Sequence, residues 1–174
     1  MSNPETKQTN PVRLLVLCGL FTALIAVCTL IGFPIAAGQG YLNPGDALIH
    51  AAVFVIGGWQ CALVAGLGSM LTDLMLGYTV FLPGTFIIKA CMALVGMLLL
   101  KRCKHSFTAF AIAGIVVPFG YFCYEALLSL FKVWSIAVAV YDLPWNFVQY
   151  VFGVVLGSVI VSVLKRVNRS VGLF

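Results

Sequence analysis

The sequence predicts an all-α integral membrane protein with six transmembrane helices and both termini in the cytoplasm. Three observations lead to that expectation. Of the 174 residues, 62% are hydrophobic and only 9% charged, whereas a soluble domain carries about a quarter charged residues. The apolar runs recur at lengths near the roughly 20 residues a helix needs to cross a bilayer, and the alternating pattern of a barrel strand is absent. Lipid offers no hydrogen-bond partner to an open backbone, so helices are what remains. Finally, the basic residues cluster at the ends of the apolar runs, which sets the number of crossings.

Residues 1–11 are polar and read as a disordered tail. The first span is expected from Val12 to Ile31. Its apolar run, followed by Ile35-Ala36-Ala37-Gly38, resembles a signal peptide. It exceeds the roughly 7–15 apolar residues of one, however, and is expected to be retained. Glycines and prolines from Gly32 to Gly45 mark a loop over Phe33–Gly45. The chain is then apolar from Ala47 to Leu76, long for one helix and short for two. Gly57-Gly58-Trp59-Gln60 in its middle either turns a hairpin or lies inside a helix.

Charge decides between the two. A fourth span is expected over Leu82–Leu100, followed by the basic loop Lys101, Arg102, Lys104 and His105. The fifth covers Ala109–Trp134, a loop forms around Asp142 and Pro144, and the sixth covers Trp145–Leu164 before Lys165, Arg166 and Arg169. With a hairpin at Gly57-Gly58, eight of the ten Lys and Arg residues fall on one side, and that side is the cytoplasm. Residues 12–166 therefore form one six-helix membrane domain, and 167–174 a short cytoplasmic C-terminal tail. The net charge of +5 is accounted for by helix ends, so no nucleic-acid partner is expected. The six cysteines show no paired spacing and read as small apolar fillers, with no metal site.

Ionisable side chains inside spanning segments are costly and mark a site or pathway. In this topology Asp46, His50, Asp73, Lys89, Glu125, Asn146 and Gln149 all fall in the outer half of their spans. A channel or proton relay distributes such groups across the bilayer. A cluster in one half instead fits a pocket that opens outward, and the nearby Tyr121, Tyr124, Trp134, Trp145 and Tyr150 suit a flat heteroaromatic ligand. The substrate-binding candidates are Glu125, Asn146, Gln149, Lys89, Asp46, His50, Tyr121 and Trp145.

Most of them also have a purely structural reading. Asp73 and Lys89 can neutralise each other as a buried ion pair, and Asp46 can cap the second helix. His50 can be a satisfied interior histidine, Asn146 and Gln149 can join helices, and the tryptophans can anchor the membrane interface. Glu125 has the strongest claim to a ligand, because no basic residue lies within a helical turn of it. In the first span, Gly19-x-x-x-Ala23 and Thr22-x-x-x-Ala26 form a small-residue face. Such a face packs inside the bundle or docks another membrane subunit.

Together these residues resemble the substrate-binding S components of energy-coupling-factor (ECF) vitamin transporters. The resemblance rests on Asn43-Pro44-Gly45-Asp46, on Gly68-Ser69-x-Leu71-Thr72-Asp73 with Gly77-Tyr78, and on Pro83-x-Thr85-x-Ile87-Ile88-Lys89. It extends to Phe122–Glu125, Pro144-Trp145-Asn146, Gln149, Gly153 and Gly157. It implies a high-affinity binding subunit in the bacterial plasma membrane, partnered by a transmembrane coupling protein and two ATPases. It also implies docking of the coupling protein on the face of Gly19, Ala23 and Ala26, and toppling of the subunit to deliver its cargo. The cargo it implies is a vitamin or precursor of the pyridoxine or hydroxymethylpyrimidine type, with riboflavin or another vitamin as the alternative. No cofactor is expected on this chain, which has no G-x-x-x-x-G-K-[ST] loop, so ATP belongs to the partner ATPases. The rival classes are a stand-alone carrier and a membrane-embedded enzyme. No catalytic residues are expected, since Ser69 and Ser129 have no nearby histidine by sequence logic.

Overall fold

Asn10 accepts the Val12 N–H on its side-chain oxygen at 3.0 Å, and Pro11 takes the first helical position, where no amide hydrogen is needed. Helix α1 (Pro11–Leu30) starts there in the computed structural model, which describes residues 10–34 and 41–171. Most of the expected 1–11 tail thus lies outside the described residues, and its last two positions are the cap and the first residue of α1. A minimal antiparallel pair follows, β1 (Phe33–Pro34) with β2 (Tyr41–Leu42). Helix α2 (Gly45–Ile56) ends at Gly57, whose φ of +66° is the left-handed cap only glycine adopts without strain. Helix α3 (Gln60–Leu76) begins three residues later, so Gly57-Gly58 turns a hairpin as charge required.

Gly77, at φ +82°, stops α3 in the same way. A 3-10 turn over Thr79–Phe81 leads into α4 (Leu82–Leu100). The next pass is a broken helix, α5 (Ser106–Gly114) and α6 (Val116–Leu130). Pro118, in the first turn of α6, cannot donate to the Gly114 carbonyl, and the break falls at that point. Helix α7 runs Ile136–Val171 with Pro144 inside it.

The last boundaries correct the sequence reading. The fifth pass is Ser106–Leu130, not 109–134, and no loop forms around Asp142 and Pro144. Proline removes a single hydrogen bond, and membrane helices tolerate it where neighbours cover the gap. The expected C-terminal tail is likewise helical through Val171. At about 1.5 Å per residue, the 36 residues of α7 exceed the hydrocarbon thickness, and its basic last turns project beyond the core.

Six helical passes are present, but not six equal spans. Among the described residues, four are long and apolar enough to cross a membrane: Pro11–Leu30, Thr79–Leu100, Ser106–Leu130 and Ile136–Ser170. Helices α2 and α3 are shorter, with 12 and 17 residues. Eight of the twelve α2 residues are buried, so α2 is the central element, packed by α1, α3, α4 and α7. Gly153 and Gly157 allow its close approach to α7: a Cβ at those positions would meet Asp46 Cβ at 2.8 Å and His50 Cβ at 2.9 Å. At one end of the bundle lie the end of α1, the start of α2, the end of α3 and the start of α4. The 101–104 basic loop and the end of α7 lie at the other, where Lys165 Nζ donates to Ser106 Oγ at 2.5 Å.

Candidate functional site

The end of the bundle away from the basic loop holds a small, partly open cavity. Every long pass contributes to it. Thr29 comes from α1, Ser69 and Asp73 from α3, Thr85 and Lys89 from α4, Tyr121 and Glu125 from α6, and Asp142, Asn146 and Gln149 from α7. Asn43, Tyr78 and Phe81 come from the loops.

A chain of buried polar contacts forms its floor. Lys89 Nζ donates to Asp46 Oδ1 at 2.5 Å and lies 5.5 Å from the Tyr121 ring centroid, a cation–π distance. Gln149 Nε2 donates to Asp46 Oδ2 at 2.9 Å. The Gln149 carbonyl in turn accepts the Asn43 backbone N–H and Nδ2, both at 3.3 Å. Asn43 Oδ1 accepts the Gly45 N–H at 2.9 Å. The segment before α2 is thereby tied to α7, and α2 to α4. Charged and polar groups in such a setting are tolerable because each is paired.

One wall is aromatic. Phe81 lies 6.3, 6.1 and 5.4 Å, centroid to centroid, from Tyr121, Tyr124 and Trp134. Tyr121 Oη and Thr85 Oγ1 are 3.1 Å apart, and Tyr124 Oη donates to the Val80 carbonyl at 2.6 Å. Glu125 stands against this order. It is buried and lines the cavity, yet its Oε2 has no hydrogen-bond partner among the described residues.

Of the sequence-derived candidates, Lys89, Tyr121, Glu125, Asn146 and Gln149 meet in the cavity. Asp46 stands behind the floor, holding Lys89 and Gln149. It does not cap α2, where Asn43 serves the first-turn donor instead. Lys89 makes its ion pair with Asp46, and Asp73 also lines the cavity. His50 and Trp145 do not line it. His50 is buried one turn farther along α2, its ring stacked on Phe110 at 4.3 Å, and neither nitrogen has a hydrogen-bond partner among the described residues, so the expected satisfied interior histidine is not seen there. Trp145 is 39% exposed on the outside of α7, while the next residue, Asn146, faces in. Trp134 packs on Phe81 at the cavity wall rather than serving only as an interface anchor.

Sequence reasoning overlooked Thr29, Asn43, Ser69, Tyr78, Phe81, Thr85 and Asp142 as lining residues. For two of them a signal was present. Asp142 precedes Asn146 by four residues and Gln149 by seven, and Thr85 precedes Lys89 by four, the spacing of one helix face. On α1, Gly19 and Ala23 face outward, and nothing lies within 4 Å of a Cβ built on Gly19. Ala26 is turned inward, its carbonyl accepting Thr72 Oγ1 at 3.0 Å. The small-residue face therefore divides between the two expected uses.

A family model described as the S component of an ECF-type riboflavin transporter matches residues 9–166. The thiamine precursor transporter HmpT of Lactococcus lactis subsp. cremoris (strain MG1363) is 29% identical over 157 residues, 89% of each chain. An uncharacterised protein from the gap 3′ region of Pyrococcus woesei is 28% identical over 147 residues, 83% of this chain and 95% of its own. Among solved structures, an S component of a bacterial ECF transporter superposes with a TM-score of 0.68 at 20% identity, covering 92% of this chain and 98% of that one.

Proposed function

The chain belongs to the family of ECF-type riboflavin transporter S components, and from that premise we propose that it captures a small hydroxymethylated heteroaromatic of the pyridoxine or hydroxymethylpyrimidine type. The observation that carries this reading is the cavity at one end of the bundle, where Lys89, Tyr121, Glu125, Asn146 and Gln149 converge beside an aromatic wall. A flat ring fits along such a wall, while a few directed polar groups fix its orientation. The thiamine-precursor relative supports the same substrate class. Riboflavin is the second reading, favoured by the description of the matching family.

In this proposal the cavity faces outward and both termini and the basic loop are cytoplasmic, in a multi-pass bacterial plasma membrane protein. A transmembrane coupling protein docks against the outward face of α1 at Gly19 and Ala23, and two ATPases supply the energy. This chain binds the cargo and performs no chemistry on it.

Thermal unfolding of the detergent-purified chain against a panel of vitamins and precursors tests the reading. A ligand at a hundredfold excess over its dissociation constant raises stability by about 2.7 kcal/mol. One clear stabilising compound is expected, with affinity at least tenfold lower (about 1.4 kcal/mol) in both Glu125→Ala and Asn146→Ala. Wild-type binding in both variants would remove the proposed pocket. Reconstitution in liposomes separates the rival classes: a stand-alone carrier moves substrate without ATP, whereas this subunit should bind and release nothing across the membrane alone.

A further inference from the structure

Towards the basic end of the bundle, α7 carries two parallel rows of side chains. Val155, Val159 and Val163 form one, and Ser158, Ser162 and Arg166 the other. Residues four apart stack on one helix face, so each row is a ridge, and the serines keep the second one low. With Phe107, at the start of α5, these residues line an open furrow on the outside of the bundle. The three valines and Phe107 are each about half exposed, so the furrow faces the membrane and not the core.

Its length and its charge together point to an occupant. From Val155 to Arg166 the furrow follows about three turns of α7, roughly 16 Å. That is half of the roughly 30 Å of hydrocarbon in a bilayer. A partner's spanning helix needs a seat through the whole thickness, whereas an acyl chain of one leaflet needs half of it. The carboxylate side chains among the described residues, Asp46, Asp73, Glu125 and Asp142, all belong to the opposite end. Around Arg166 stand Lys165 and Arg169, and the hydrogen bond from Lys165 to Ser106 brings in the loop of Lys101, Arg102 and Lys104. Lys165 is turned to Ser106 and to the Phe54 ring, 5.6 Å from its centroid. Arg166 is therefore the exposed fork at the mouth of the furrow. A guanidinium pairs bidentately with phosphate oxygens, and basic pockets between helices at the membrane surface hold anionic headgroups.

We propose that this furrow is a site for one anionic phospholipid, with the phosphate on Arg166 and one acyl chain lying along the valine and serine rows as far as Val155. The site is separate from the cargo cavity and does not depend on what that cavity binds.

The test is native mass spectrometry of the full-length chain in detergent, titrated with phosphatidylglycerol or phosphatidylcholine of identical acyl chains. Wild type should hold one phosphatidylglycerol about fivefold more tightly, the worth of one basic residue at an anionic surface. Arg166→Gln should remove that preference, whereas Lys132→Gln, on the exposed turn after α6, should keep it. Ser162→Leu fills the furrow at the loss of only a bond to the Ser158 carbonyl one turn away, and it should weaken both lipids. Should that variant misfold, Val159→Trp obstructs the same path. Glycerol 3-phosphate, a headgroup without chains, should not displace the lipid. No preference in wild type, or a preference that survives Arg166→Gln, overturns the proposal. So does unchanged lipid binding in a furrow-filled protein that elutes and unfolds like wild type, or full displacement by glycerol 3-phosphate. If the substitutions spare lipid binding but abolish co-purification of a co-expressed transmembrane coupling protein, the furrow is a protein seat and the lipid assignment falls.

Discussion

Lys89 and Asp46, 43 residues apart in sequence, form a buried pair at 2.5 Å inside a membrane bundle. Removing one member of such a pair strands the other, which costs about 3–5 kcal/mol, whereas replacing both with apolar groups is far milder. Lys89→Met should therefore destabilise the protein in detergent by about that amount, and Lys89→Met with Asp46→Leu should recover most of it. Denaturant unfolding of the two variants side by side checks the sign of the coupling. Gln149 holds the segment before α2 through Asn43 and also braces Asp46. Gln149→Ala should cost about 1–3 kcal/mol, the penalty of unsatisfied buried partners, and should weaken ligand binding as well. The sequence showed that these polar residues share a depth. It did not show that Lys89 pairs with Asp46, because Asp46 and Asp73 lie at the same end of the bundle and only the helix rotations distinguish them.

Between elements, the α2–α7 contact depends on Gly153 and Gly157, which admit Asp46 and His50 to within touching distance. Gly157→Val would thrust two methyl groups into the His50 ring, and overpacking of this kind costs about 1–3 kcal/mol. The expected result is a lower unfolding temperature together with weakened ligand binding, since Gln149 sits two turns away on the same helix. At Gly57, where φ is +66° and the surroundings are open, alanine should cost only the left-handed backbone penalty of about 1–2 kcal/mol. Several helix limits were legible, as at Gly57-Gly58, where the left-handed glycine stops α2 through local chemistry, but the cap at Asn10 fell inside the stretch read as a disordered tail. The limits of the last two passes were not legible. Asp142 and Pro144 read as a loop, but Asp142 is buried in the cavity wall and the helix passes straight through Pro144. Tertiary neighbours overrode a local signal there.

Over the whole molecule the polar cavity lies at the end opposite the basic loop and the basic end of α7, as the charge pattern implied. This polarity yields an orientation prediction. In right-side-out vesicles, with all other cysteines replaced, a Val133→Cys protein should react with an impermeant maleimide, and one retaining only Cys103 should not. The reverse labelling would invert the proposed topology. The outward position of Gly19 and Ala23 gives a second outcome at this scale. Gly19→Leu should leave ligand affinity unchanged yet reduce ATP-driven uptake in cells that also express the coupling protein and ATPases.

The sequence by itself determined the solvent, the number of passes and the end at which polar groups gather. These depend on composition, on charge placement and on ionisable groups that lipid penalises wherever they point. It could not determine which apolar face meets lipid and which meets protein, because hydrocarbon tails are as apolar as leucine and impose no pattern on the helix surface. The central, almost wholly buried position of α2, the exclusion of His50 and Trp145 from the cavity and the inclusion of Asp142 were therefore decided only by tertiary packing. There the close approach at Gly153 and Gly157 and the rotation of each helix assign every polar side chain its partner.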